Sequence, residues 1–552
     1  MTEAEKLHDL FDRHWRHLMA EVPELATMTG WPEGHDRWTN QSIEAVERRR
    51  RQVGQWLDEA TGIDAAGLDE VDRRSLEMFV AVEQAEVDAA RFPSAYLPID
   101  QMEGVHLDPS FYLGIMGTDS PQEQHDVLAR LGGVADLVDQ TIELLHRGLE
   151  LGVTPPRVCL REVPSQLALH LTSGDTNPFL AAFAGAPADV RAEAAAVVAE
   201  RCVPAFQRLA DTVNDTYLPA CRETIALRDL PDGADWYAER VRYHTTTDLA
   251  PEEIHEIGQS EVRRIAAEMD RVMGETGFTG DRKAFAEHLR TDPMHYFSTE
   301  DELLGFYRDV AKRADPGVVK LFSRLPRLPF GIAPVPAEQA PSAPGAYYMP
   351  GSLDLGRAGM FYANTYDLAA RPRWNMESIC LHEAVPGHHF QIALAQETEG
   401  LPQFRRQSLT CTAYIEGWGL YCETLGPELG MYTDPYQRYG SLDAEMMRAC
   451  RLVLDTGMHA LGWSRQQAIA FFVEHSPSPE HDLIVEVDRY IVMPGQALAY
   501  KIGSLKIQEL RDRAASAMGE RFDLRGYHDE VLRHGALPLG MLERVVDEWA
   551  RR

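Results

Sequence analysis

Residues 378–394 read SICLHEAVPGHHFQIAL and bring His382, Glu383, His388 and His389 together within eight residues of otherwise apolar helical sequence. Imidazoles and a carboxylate are costly to bury alone, so this stretch must fold where something satisfies them. Zinc is such a partner. Neutral imidazoles ligate it, and an adjacent glutamate can take a proton from water. Two zinc-binding histidines on one helix usually stand at i and i+4, but here position i+4 is Pro386. On an unbroken ideal helix His388 falls about 120° from the face of His382, while His389 shares that face about 10.5 Å further along. Pro386 removes a backbone donor and Gly387 tolerates unusual dihedrals, so a widened turn that swings His388 back is expected. His388 is therefore the expected second ligand, with His389 beside the metal or facing substrate, and His389 remains the alternative ligand.

A third protein ligand is expected on a following helix. CTAYIEGWGLYCETL carries Glu416 and Glu423 seven residues apart, which places them on one helix face. Glu416 sits among apolar and aromatic residues and is the preferred ligand. Glu423 is read as the acceptor that orients a histidine. The competing readings are a structural metal or hydrogen-bonded core cluster for the histidines, and a salt bridge to an arginine for Glu416. The expected cofactor is one zinc ion per chain, although imidazole and carboxylate also accept manganese or cobalt.

The rest of the chain reads as mainly α. Apolar residues recur at three and four in stretches such as 1–20, 69–92, 122–150 and 187–215, the period of amphipathic helix. Pro155-Pro156, Pro187 and Pro231-Asp232-Gly233 punctuate them. Between about 321 and 372 the sequence turns rich in Pro, Gly and aromatics, and AYYM and GMFYANTY read as short strands. Helix resumes near 375. A helical part over 1–315, forming one wall of a cleft, and a catalytic part over 316–552 are the expected divisions.

Composition narrows the function classes. A net charge of −32 repels phosphate backbones and anionic lipid, so neither nucleic acid nor membrane is an expected partner. No apolar run reaches the ~18 residues of a membrane span. The charged N-terminus lacks the features of a secretory signal, and the seven cysteines are scattered with no CxxC pair. Both point to the cytoplasm, and the cysteine pattern to neither disulfides nor a thiolate metal site. No GxSxG or Walker sequence supports a serine hydrolase or nucleotide enzyme. The sequence leaves the oligomeric state open.

HEAVPGHHFQ, YIEGWGLYCETLG, RACRLVLDTGMHALGW and EVDRYIVMPGQALAYKIG together resemble the bacterial domain-of-unknown-function family 885. That family is similar to the gluzincin peptidases: thimet-type oligopeptidases, thermostable carboxypeptidases and angiotensin-converting enzyme. The resemblance implies a gluzincin-like helical metallopeptidase with a small sheet next to the zinc helix and a deep cleft. Gly387-His388 matches the end of the gluzincin HExGH after two inserted residues, and Glu416-Gly417 resembles the third-ligand Glu-Gly.

From this follows the expected activity, hydrolysis of amide bonds in short peptides, by an oligopeptidase or a carboxypeptidase. His382, His388 and Glu416 hold zinc, and Glu383 is the general base. Tyr490 is the first choice for oxyanion donor, because Arg489-Tyr490 resembles the Arg-Tyr pair of angiotensin-converting enzyme; Tyr500 is the second. Arg451, Asp455 and His459 share a helix face. They form either a plain ion pair with a capping histidine or an active-site wall in which Asp455 fixes the His459 tautomer. An edge strand holding substrate is expected in GAYYMPGSLDLGRAGMFYANTYDL, with Gly359, Tyr362 and Asn364 as contacts. Arg489 and Lys501 either bind a substrate carboxylate or form internal ion pairs. The alternatives are a zinc hydrolase of a non-peptide amide, and a metal-containing binding protein without turnover.

Overall fold

The computed structural model describes residues 1–552 except 173, 175, 337–339, 341–342, 354 and 408–409. Residues 337–339, 341–342 and 354 fall inside the stretch expected to form strands, and that part of the expectation lies outside the described residues. The chain divides into two compact units, Met1–Trp236 and Tyr237–Arg552.

The first unit is helical. Its longest helix, α1 (Pro121–Leu151), starts with a reciprocal cap between Ser120 and Glu123, has Pro at its first position, and stops at Gly152 with φ 68°. These are the residues that satisfy or dispense with orphan backbone groups at helix ends. Val127, Leu131, Val134, Val138 and Leu145 of α1 bury fully into one core with Phe206, Leu209 and Val213. The guanidinium of Arg130 is also fully buried. It is accommodated because it donates to Thr27 Oγ1 at 2.8 Å and to the carbonyls of Gly34, Arg37 and Pro23 at 3.0–3.2 Å.

The second unit holds all the expected site residues. Its elements include α2 (Pro251–Glu275), α3 (Glu300–Leu321), β1 (Phe330–Pro334), β2 (Ala346–Met349), β3 (Gly359–Ala363), α4 (Met376–Glu383), α5 (His388–Gln396), α6 (Thr412–Glu423), α7 (Pro435–His459), α8 (Glu480–Val492) and α9 (Leu498–Met518). The unit boundary falls at 236/237, not at 315 as the change in sequence texture suggested. The reason is packing: α2 and α3 bury their apolar faces against C-terminal helices. Gly258 of α2 lies against Leu452 and Val453 of α7. On α3, Arg313 pairs with Glu377 of α4 at 2.8 Å and the Tyr307 carbonyl accepts from Cys380.

The sheet runs in the order β1-β3-β2, with β1 parallel and β2 antiparallel to β3. β3 is thus the central strand. Its hydrogen-bonding groups are engaged on both sides, so the expectation that Gly359, Tyr362 and Asn364 receive a substrate backbone is corrected. Strand addition needs an unpaired edge, and β3 has none. Tyr362 instead stacks on Tyr347 of β2 at 5.2 Å. Asn364 is buried, its amide donating to the carbonyls of Ala340, Ala343 and Pro344.

Two contacts fix the helices that flank the site. α6 and α9 cross backbone to backbone at Gly417 and Gly503. A Cβ on Gly417 would stand 2.5 Å from the Gly503 backbone, and one on Gly503 would overlap the Ala413 carbonyl oxygen. Beneath them His528 is fully buried, stacked on Phe322 and edge-on to Trp418. Its Nδ1–H donates to the Leu321 carbonyl at 2.9 Å, which leaves Nε2 to accept from the Tyr421 hydroxyl at 2.8 Å. Burial pushes its pKa down to about 4.

The Gly417–Gly503 crossing predicts that Gly503→Ala destabilises the fold by about 2–3 kcal/mol or more, since overpacking against backbone has no easy relief. Gly274→Ala, at a helical position open on all sides, serves as control and should be neutral or gain about 0.5–1 kcal/mol. Urea titration of both variants decides; a Gly503→Ala protein as stable as wild type would refute the close crossing. His528 predicts a pH effect. The unfolded chain takes up its proton near pH 6.5 and the folded chain only near 4, so this contribution is intact above pH 6.5 and lost as pH falls towards 4. His528→Asn should flatten the pH dependence of stability by about 1 kcal/mol per pH unit between pH 6 and 5; unchanged slopes in the two proteins would contradict a neutral buried ring.

Candidate metal centre

The motif helix does not widen around Pro386, as the sequence suggested; it ends. α4 stops at Glu383, Ala384 leaves helical conformation at φ −101° and ψ −104°, and α5 begins at His388. The Val385–Pro386 peptide bond is cis. Gly387 sits so close to the last carbonyls of α4 that a side chain there would overlap the backbone of Leu381 and His382. α6 pins the break: Trp418 Nε1–H donates to the Pro386 carbonyl at 2.9 Å, and the Cys422 thiol reaches the same oxygen at 3.4 Å.

The break folds the two histidines onto each other. The rings of His382 and His388 lie 4.7 Å apart, nearly perpendicular. Their Nε2 atoms stand 3.6 and 3.5 Å from the same oxygen, Oε2, of Glu416. One donor atom from each of the three residues falls within 4.8 Å of the other two. Their side chains are only 4%, 12% and 18% exposed, respectively. Gly419, one turn after Glu416, makes room for this, because a Cβ there would stand 2.8 Å from the His382 ring.

His382 Nδ1–H donates to Glu423 Oε1 at 2.8 Å. That bond fixes the orientation of the ring and turns Nε2 towards Glu416. Ser378, one turn before His382, donates to the other Glu423 oxygen, and Arg448 of α7 stands 3.5 Å from Oε1. Neither residue carried a signal in its own motif. Ser378 was detectable only as the residue four before His382 on a helix, and Arg448 lies on a separate helix altogether.

The electrostatics test whether a cation fits. Burial alone would keep His382 neutral, yet the carboxylates of Glu416 and Glu423 outweigh it and raise its pKa to about 10. Burial likewise opposes ionisation of Glu416, and the two imidazoles overcome it, holding the carboxyl well below its usual range. The cluster therefore stabilises positive charge between His382, His388 and Glu416. His388 Nδ1 is buried without a hydrogen-bond partner. Two imidazoles and one carboxylate are the donor set of a zinc site with room for further ligands, and the residues fit that ion.

The remaining site residues divide. Glu383 ends α4 directly after His382 in the chain and is partly exposed. The Tyr500 ring lies 6.3 Å from that of His382, nearly parallel, with its hydroxyl within 3.3 and 3.4 Å of Arg489 and Gln496. Tyr490 is turned into a closed set: its hydroxyl donates to Glu486 at 2.7 Å and accepts from Arg451 at 3.0 Å. Arg489 pairs with Glu486 and Gln496. Lys501 is buried between Glu261 and Glu445, at 2.9 and 2.6 Å, which is the internal ion pair rather than a carboxylate receptor.

Asp455 accepts from the Tyr237 hydroxyl at 2.5 Å and from the Gly495 N–H, while His459 is fully buried with Nε2–H donating to the Tyr490 carbonyl at 2.9 Å. Burial raises the pKa of Asp455 to about 7. These two residues line the packing of α7 on α8 and the loop before α9, not the cluster at His382. His389 points to the sheet: it is buried against Phe330, and its Nδ1 accepts from the Tyr348 hydroxyl at 2.9 Å. Burial lowers its pKa to about 4, and its ring is turned to Phe330 and Tyr348, away from the cluster at His382.

Two solved structures share this fold. One is described as "the putative lipoprotein from Colwellia psychrerythraea"; it aligns with a TM-score of 0.94 and 27% identity over 100% of both chains. The other, described as a "putative lipoprotein of unknown function from Shewanella oneidensis", aligns with a TM-score of 0.68 and 16% identity over 99% of both chains. No match was found among curated proteins. The model of a family described as "bacterial protein of unknown function (DUF885)" matches residues 23–546, and the chain belongs to the DUF885 family.

Proposed function

We propose that this protein is a zinc-dependent, gluzincin-like peptidase acting on short peptides. The observation that carries the reading is the convergence of His382 Nε2, His388 Nε2 and Glu416 Oε2 with a glutamate, Glu383, next to the first ligand. A closed structural site has no use for that glutamate. Zinc held by His382, His388 and Glu416 supplies Lewis acidity to water and to the scissile carbonyl.

The chain's own groups do the rest. Glu423 keeps His382 in the tautomer that presents Nε2. Glu383 takes the proton of the attacking water and passes it to the leaving amine. We assign oxyanion donation to Tyr500 rather than Tyr490, because its ring neighbours His382 while the Tyr490 hydroxyl is spent on Glu486 and Arg451. The low exposure of the three ligands favours an extended peptide over a folded protein as substrate. A chain of net charge −32 disfavours nucleic acid or an anionic membrane surface as partner.

The two solved relatives, described as lipoproteins, point to the cell envelope. The seven cysteines here are buried thiols, which suits a reducing compartment, and we place the protein in the cytoplasm. Cell fractionation that finds it with the envelope would overturn that placement.

The peptidase reading is tested by metal content and by cleavage of a fluorogenic peptide library. Wild type should carry zinc and cleave; His388→Ala should lose the metal bound at this cluster together with activity. Glu383→Gln should keep the metal and lose at least about 100-fold in kcat/KM, and Tyr500→Phe should lower kcat by about 100-fold or more at unchanged metal content. Glu423→Gln should weaken zinc binding by about 10–100-fold. Zinc at the cluster without cleavage of any peptide would sink the peptidase and leave a non-peptide amide or a binding role. A protein whose metal content His388→Ala does not alter would sink the metal centre itself.

A further inference from the structure

A second set of metal-ligating residues lies in the same unit and shares no residue with the cluster at His382. His288 belongs to the helix Arg282–Thr291, Asp292 ends that helix, and His295 closes the short 3-10 turn Pro293–His295. One donor atom from each of the three lies within 4.8 Å of the other two. We propose that His288, Asp292 and His295 form a second binding site for a divalent transition-metal ion, zinc in the first instance.

The local structure is organised as such a site needs. Pro293 stops the helix, so the chain turns back and the His295 ring comes within 6.0 Å of the His288 ring, at 83° to it. Asp292 Oδ1 accepts from the Met294 N–H at 3.0 Å; this orients the carboxylate, whose second oxygen serves the metal. His295 is only 3% exposed, packed between Trp374 and Tyr436, and its Nε2 is buried without a hydrogen-bond partner. A buried imidazole nitrogen left unsatisfied is unfavourable, and metal coordination relieves it either directly or by fixing the tautomer.

Two imidazoles and a carboxylate suit zinc, nickel or cobalt and not calcium or magnesium, which demand oxygen. His288 and Asp292 are both partly exposed, so water completes the coordination. Bound there, the ion staples the helix to the turn and, through the His295–Tyr436 ring contact, to the start of α7.

The test uses zinc alone on the metal-stripped full chain, with bound metal counted after equilibrium dialysis. His288→Gln and Asp292→Asn are the informative variants, because both side chains reach the surface, and Asn keeps the acceptor for Met294 N–H. Each should bind one zinc ion fewer than wild type, or bind it at least about tenfold more weakly. Zinc should raise the Tm of His388→Ala but not that of His388→Ala/Asp292→Asn. Equal uptake by wild type, His288→Gln and Asp292→Asn would overturn the proposal, as would a His388→Ala protein that binds no zinc at saturation. Zinc lost in Asp292→Asn but kept in His388→Ala would uphold this site while removing the cluster at His382, so the two readings fail separately.

Discussion

The second unit is organised around one buried carboxylate. Glu423 cannot sit inside a helical core as a bare anion, since an uncompensated buried charge costs several kcal/mol. Three side chains on two helices converge to satisfy it: Ser378 and His382 from α4, and Arg448 from α7. Each brings its helix with it. The carboxylate on α6 therefore sets the distance between the motif helix and the long helix α7, and Gly419 on the same α6 surface leaves the His382 ring the space to reach it. Without that hydrogen bond, His382 would be free to take either tautomer and the cluster with Glu416 would lose its definition.

The second constraint is the interruption at 384–387. A continuous helix cannot present residues six apart on one side, because six steps leave them about 120° out of phase. The chain solves this by using two helices in place of one, and Trp418 and Cys422 hold the intervening Pro386 carbonyl so that the junction is part of the core. The same helix, α6, thus supplies Glu416, the groove for His382 and the clamp on the junction. The cluster is assembled from three directions but referenced to a single element.

Much of this was legible in the chain, and the rest was hidden for identifiable reasons. The helical period marks Glu416 and Glu423 as one face, and the apolar setting of His382, Glu383 and His388 marks them as needing partners; the two histidines do meet Glu416, and His382 also meets Glu423, while Glu383 is partly exposed. Periodicity says which residues share a face and nothing about what lies opposite. Arg451, Asp455 and His459 do share one, but across from it stand Tyr490, Tyr237 and the Gly495 backbone, and that identity comes from pairings more than thirty residues apart. The strands around 346–363 are recognisable by composition, yet composition does not give strand order and so does not tell the central β3 from the edge strand β2. His389 followed a similar course: helical phase allowed it beside His382, and the new helix starting at His388 turned it to Tyr348 instead. His288, Asp292 and His295 carry no comparable signal in the sequence, because Pro293 ends the helix and separates His295 from the other two.

The glycine crossing of α6 and α9 has one more consequence. At the crossing itself only the Gly417 and Gly503 backbones and the Ala413 carbonyl meet, so there is no soft layer at that point to deform, and Glu416 and Tyr500, which flank the contact on either helix, are carried on what is mechanically one piece. Thermal fluctuation can move this pair together against α4 and α5 but changes the spacing within the pair very little. Under the proposed peptidase reading, a substrate held between the two meets a jaw of fixed gauge, and the histidine side is the one that moves to admit it.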